Sequence, residues 1–170
     1  EVPGFRNYKW AEGITVSAWF KRTSASGYQS IINTGYYTSG SWEIRMGREN
    51  DGTMIGGGVS TAEHPKTWDH VGLTASLNEW HHVVMTYDGN VVEYCLDGVF
   101  YDRQRDKKEW EKYHPASIID SGPILMKDKP LTIGCNGNDK SECFVGSIDE
   151  VRVFARALTK KEIIALYRPA

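Results

Sequence analysis

The stretch Gly146-Ser147-Ile148-Asp149-Glu150-Val151-Arg152-Val153-Phe154 runs directly into Ala155-Arg156-Ala157-Leu158-Thr159-Lys160-Lys161-Glu162. Its first half spaces apolar residues among polar ones and is rich in β-branched Ile and Val, the pattern of a half-buried strand. Its second half is a helix start. Thr159 and Glu162 have capping-box spacing, in which the hydroxyl accepts from an early helix N–H and the carboxylate reaches back. Leu158 and Ile163 stand where a hydrophobic staple would, and Ile163, Ile164 and Tyr167 give the helix an apolar face. The stretch predicts a strand followed by a helix of about two turns, docked on the edge of a sheet.

Working back from it, the chain is a series of short β-runs broken by glycine. They are Ile14 to Phe20, Ser30 to Asn33, Trp42 to Met46, Thr53 to Ile55, His82 to Tyr87, Val91 to Leu96 and Leu131 to Gly134. Asp51-Gly52, Asp88-Gly89 and Asp97-Gly98 supply the positive φ angles that tight hairpins need. Short alternating runs at this spacing predict an all-β, two-sheet antiparallel sandwich with one short C-terminal helix, and exclude a parallel α/β sheet. No repeat, linker or low-complexity tract divides the chain, so residues 1–170 read as one domain. The segment Asp102 to His114 differs. It is dense in charge, holds Trp110 and Tyr113, and reads either as a short helix or as a long surface loop.

Hydrophobic residues make up 40% and charged residues 25% of the chain, the balance of a globular domain. The formal net charge of −2 gives no global reason to expect a nucleic-acid partner. No apolar run approaches the roughly 18 residues of a membrane span. Glu1 to Trp10 lack the apolar region of a signal peptide, and no initiator Met is present. The expectation is a domain cut from a longer, secreted protein.

Of the three cysteines, Cys135 and Cys143 bracket a polar, turn-rich stretch, Asn136 to Glu142. A hairpin there would bring its ends within disulfide range, the alternative being two unrelated thiols. Zinc is excluded by the spacing. Cys95 lies inside a strand pattern. It reads as a buried inert thiol, with a partner outside this sequence as the second reading.

Four segments carry a family resemblance. They are Ser17-Ala18-Trp19-Phe20; Glu79-Trp80-His81-His82-Val83 with Thr86-Tyr87-Asp88-Gly89; Tyr94 to Gly98; and Phe144 to Thr159 leading to Leu166-Tyr167. Together they resemble the laminin-G-like branch of the concanavalin-A-like jelly rolls, over residues 14–167. The match departs at the charged insertion, and Glu1-Val2-Pro3 corresponds only to the tail of the family's first strand. The resemblance implies a non-catalytic extracellular module that binds glycans, matrix proteins or calcium, or that holds neighbouring domains. Fold membership does not choose among these.

Most motif residues read structurally. Trp19, Trp42 and Trp80 are expected in the core. His81 and His82 are adjacent on a strand, point to opposite faces and cannot share one ion. Asp149 and Glu150 are likewise expected on opposite faces, with Arg152 or Arg156 as an ion-pair partner. A calcium site would need Asp149 together with carbonyl oxygens, and calcium takes six to eight oxygens. No glycosidase carboxylate pair, nucleophile elbow or H-E-x-x-H motif occurs, which excludes the common hydrolase signatures.

The candidate ligand contacts are therefore loop aromatics and loop charges. Tyr36 and Tyr37 lie between Gly35 and Gly40, Trp68 lies in a polar loop, and Trp110 and Tyr113 lie in the charged insertion. Stacking of sugar rings on these aromatics predicts binding of a polysaccharide or glycosylated matrix partner. Arg103, Arg105, Lys107 and Lys108 offer an alternative contact for an acidic partner. A second function class is a structural or assembly domain of an extracellular matrix, mineralised matrix included, with no dedicated glycan site.

Overall fold

The computed structural model describes residues 13–35, 42–47, 54–62, 69–101, 122–125, 129–137 and 139–167. Within them the strands are β1 (Ile14–Arg22), β2 (Gln29–Asn33), β3 (Trp42–Met46), β4 (Met54–Val59), β5 (Asp69–Thr74), β6 (Trp80–Tyr87), β7 (Val92–Leu96), β8 (Val99–Phe100), β9 (Thr132–Ile133) and β10 (Gly146–Phe154). One helix, α1 (Lys160–Leu166), follows. Sheet A runs β10-β1-β6-β7-β8 and sheet B runs β5-β4-β3-β2-β9, with every strand pair antiparallel. This is the expected jelly-roll sandwich.

Strand alternation builds the core. Ile14, Val16, Ala18 and Phe20 of β1 and Val83, Met85 and Tyr87 of β6 meet Ile31, Ile32, Trp42, Ile44, Met46 and Ile55 of sheet B. A second cluster forms on the outer face of sheet A, where Leu158 and Ile163 pack on Val84 and Cys95. Full burial of each of these two aliphatic side chains contributes about 1.5–3 kcal/mol. Polar bonds fix the same docking. The Thr15 hydroxyl donates to the Arg156 carbonyl (2.9 Å) and accepts from the Leu158 N–H (2.8 Å). The capping box forms as read: Thr159 N–H donates to Glu162 Oε2 (2.9 Å), and the Thr159 hydroxyl accepts from Glu162 N–H (3.3 Å).

Several residues differ from their sequence reading. Trp42 is buried and Trp19 half-buried, whereas Trp80 is 46% exposed. Trp80 is the first residue of β6, and its parity sends the ring to the outer face of sheet A, away from the core. Strands β5 and β8 were not expected. Polar Asp69 and His70 at the start of β5 mask its pattern, and β8 spans only two residues. Gly56-Gly57-Gly58 lies within β4. Gly57 has φ +140°, and a Cβ there would run into the Glu43 carbonyl, so close strand approach requires glycine. Glu150, at φ 49°, is the extra residue where the register of β10 shifts against β1 between Ser17 and Trp19.

Candidate functional site

β3 alternates Trp42, Ile44 and Met46 toward the core with Glu43 and Arg45 toward the outer face of sheet B. Both charged residues are nonetheless buried, Arg45 completely. Their cross-strand partners on β4 are Gly58 and Gly56, which add no side chain beside them. A buried guanidinium needs partners to offset its desolvation. Arg45 Nη1 donates to Glu142 Oε2 at 3.1 Å, lies 3.8 Å from Glu43 Oε1, and the guanidinium sits 4.0 Å above the Tyr28 ring. Burial pushes the Glu43 carboxyl up to about 8, with Arg45 opposing and Glu142 reinforcing the shift. At neutral pH Glu43 is therefore mostly the neutral acid. Its Oε2 is buried without a hydrogen-bond partner.

Glu142 reaches this face from a loop closed by the Cys135–Cys143 disulfide, the pairing expected from the spacing. Asn33 ties that loop to sheet B. Its Nδ2 donates to the Cys135 carbonyl (2.8 Å) and to Ser30 Oγ (2.6 Å), and its Oδ1 accepts from Gly137 N–H (3.1 Å). Ser30 N–H donates to the Glu142 carbonyl at 2.8 Å. Cys95 is free and buried in the cluster under α1, where burial pushes its thiol up to about 11.

A second polar constellation closes one end of the sandwich. His81 Nδ1 lies 2.6 Å from Asp97 Oδ2, and His81 Nε2 lies 3.0 Å from Ser76 Oγ. These are the distances of a serine–histidine–aspartate relay. A fourth group changes the chemistry: the Ser76 hydroxyl donates to Glu79 Oε2 at 2.6 Å. Its single hydrogen goes to the carboxylate, so the hydroxyl is not poised to transfer it to the imidazole. The set links the loop before β6 to the β7–β8 turn, whose Asp97 also accepts from His82 N–H (2.8 Å). Arg22, fully buried at the last position of β1, donates to the Gly27 carbonyl at 3.1 Å, and burial lowers its guanidinium to about 10.

Of the ligand contacts expected from sequence, Tyr36, Tyr37, Trp68, Arg103, Arg105, Lys107, Lys108, Trp110 and Tyr113 all lie outside the described residues. Asp149 is exposed on β10, and its Oδ1 accepts the N–H of Glu150 (2.8 Å). Among the described residues no group of three or more His, Cys, Asp or Glu that could hold a metal ion gathers around it or elsewhere. Glu150 pairs with Arg152, and Arg156 pairs with Glu162 at 2.6 Å. Sequence reading missed the Arg45 and Ser76 sets. Alternation in β3 does put Glu43 and Arg45 on one face, but Glu142 joins them only through the fold.

The laminin-G family model described as the concanavalin A-like lectin/glucanases superfamily matches residues 2–164. The chain belongs to this family. Against the curated proteins it finds no match. Among solved structures this laminin-G-like domain is similar to a heptameric SAP-like pentraxin from Limulus polyphemus, at 14% identity and TM-score 0.66, over 93% of this chain and 70% of that one. It is similar to the CBM40 domain of the Ruminococcus gnavus IT-sialidase bound to α2,3-sialyllactose, at 15% identity and TM-score 0.69, over 92% and 83%. It is also similar to domain 4 of AbnA, an extracellular arabinanase from Geobacillus stearothermophilus, in complex with arabinotriose, at 18% identity and TM-score 0.63, over 93% and 68%. At these identities the likeness is one of fold.

Proposed function

We propose that this laminin-G-like domain is a non-catalytic, extracellular binding module for a polysaccharide or a glycosylated matrix partner. The observation that carries the reading is the match to a complete sugar-binding unit. The chain spans 83% of a CBM40 domain solved with sialyllactose, and that domain covers 92% of the chain. The second sugar-bound neighbour, solved with arabinotriose, supports it. The described carboxylates support the non-catalytic part. Glu43 and Glu142 flank Arg45 on a buried face and do not line an open cleft, and Ser76 is engaged by Glu79. The disulfide supports an oxidising, extracellular setting. No helix among the described residues is long and apolar enough to cross a membrane.

One observation favours the second reading, a structural or assembly domain of an extracellular matrix. The outer face of sheet B around Glu43 and Arg45 is buried, so it offers no open shelf for a sugar chain. A pull-down on neutral and acidic polysaccharides at low and high salt separates the readings, with Trp68→Ala and Trp110→Ala beside wild type. Retention of wild type on a polymer supports the binding module, and loss of retention in either variant places the contact in the loops. Binding driven by Arg103, Arg105, Lys107 and Lys108 collapses at high salt, and stacking does not. Failure of wild type to bind any polymer leaves the assembly domain.

A further inference from the structure

The outer face of sheet A is only partly covered. Antiparallel register lays two rows of side chains across it. One row is Ser147, Lys21 and Trp80; the next is Asp149, Trp19 and His82. The C-terminal segment covers the far rows through Leu158 and Ile163, and its last described residue, Tyr167, stacks on Trp19 (5.8 Å between centroids, 17° between planes). Among the described residues the cover ends with it. Beyond it Trp80 is 46% exposed, Ser147 and Asp149 are exposed, and Lys21 is half-buried.

These groups have the make-up of a sugar platform. Trp80 sits on a strand, so its backbone has little freedom to lose on binding. Its neighbour in sequence, His81, is locked beneath the sheet by Asp97 and Ser76, which stiffens the start of β6. Beside the Trp80 ring across the strands stands the Lys21 ammonium, and beyond it on β10 the Ser147 hydroxyl and the Asp149 carboxylate. Among the described residues no ion pair holds Lys21, and Asp149 uses Oδ1 for Glu150 N–H while its second oxygen makes no hydrogen bond with a described residue. Strands about 4.8 Å apart and residues about 6.8 Å apart along a strand give a patch of roughly 10 by 7 Å, the footprint of one or two pyranose rings. One cation and one anion balance, so the patch suits a neutral sugar; an anionic sugar would meet the Asp149 carboxylate.

We propose that this face is a glycan-stacking platform in which Trp80 carries the apolar face of a neutral pyranose and Lys21 hydrogen-bonds its hydroxyls, while Ser147 and Asp149 meet those of the next ring of the glycan. The proposal rests on the carbohydrate-binding reading above and gives it a place on the fold. The test is an array of neutral and acidic glycans at low and high salt with wild type, Trp80→Ala, Trp80→Phe and Asp149→Asn. Alongside it, the Trp80 indole N–H resonance is followed in a titration with methyl glycosides of glucose, galactose and N-acetylglucosamine. The expected result is salt-insensitive binding, weakened about tenfold in Trp80→Ala and largely kept in Trp80→Phe, with the Trp80 resonance shifting on titration. An unchanged melting temperature in Trp80→Ala assigns the loss to the contact and not to the fold. Wild-type binding that Trp80→Ala leaves intact, with a still indole resonance, overturns the platform and spares the carbohydrate-binding reading. Binding confined to acidic glycans and lost at high salt overturns the neutral-sugar assignment. A wild type that binds no glycan and shows no shift overturns both.

Discussion

Arg45 of β3 donates to Glu142 across 3.1 Å, and this bond joins the middle of sheet B to the disulfide-closed loop. Removing one partner of a buried ion pair costs more than removing both, because the survivor stays desolvated. Arg45→Ala is expected to lower unfolding stability by about 3–5 kcal/mol in urea titration. Arg45→Met combined with Glu142→Gln is expected to recover a large part of that, since it removes both partners of the bond and leaves neither charge alone. Equal losses in the single and double variants would argue against the pair as the cause.

Glu43 makes stability depend on alkaline pH. Burial raises its folded carboxyl from 4.5 to about 8, so the folded state holds a proton that the unfolded state gives up. Stability from this group is full below about 4.5 and is lost progressively as pH rises to about 8. Glu43→Gln removes the titrating group. Melting temperatures measured from pH 5 to 9 should fall across that window in wild type and fall less in the variant.

His82 acts in the opposite direction. It is buried on the outer face of sheet A, with ring centroids 5.1 Å from Trp19 and 6.1 Å from Tyr167, and among the described residues neither ring nitrogen has a hydrogen-bond partner. Burial lowers its folded value from 6.5 to about 4, with Asp97 opposing and Arg152 reinforcing. The folded state therefore resists a proton that the unfolded state accepts. Stability is full above about 6.5 and declines as pH falls to about 4. His82→Phe should flatten the acid limb of the stability curve, and an unaltered limb would exclude His82 as its source.

What the sequence made legible was local. The capping box at Thr159 and Glu162 involves residues three apart and formed as read. The alternation of β1, β3 and β6 marked most of the core, because parity along a strand needs no knowledge of its partners. Trp80 shows the limit. Its aromatic character suggested the core, but its parity in β6 matches outward His82 and not inward His81. The Ser76, His81 and Asp97 set and the Glu43, Arg45 and Glu142 set were not legible, since each joins residues brought together by sheet pairing or by the disulfide loop. The alternation of β3 carries no sign that its polar face is buried too; only the fold covers both faces.

The disulfide offers the last prediction. Cys135 and Cys143 are eight apart in sequence, and closing so short a loop restricts the unfolded chain by about 2–3 kcal/mol. The loop also carries Glu142 to Arg45 and makes two bonds with Asn33, which donates to the Cys135 carbonyl and accepts from Gly137 N–H. Cys135→Ser with Cys143→Ser should therefore cost more than the chain-entropy figure, because the ion pair loosens with the loop. Adding Arg45→Met to that pair should cost less than it does in the disulfide-bonded protein, a coupling that a double-mutant cycle in urea reads directly. Additive costs would mean that the loop holds Glu142 in place without the disulfide. Peptide mapping without reductant checks the pairing, and Cys95, buried and with its thiol raised to about 11, should resist alkylation until the protein unfolds.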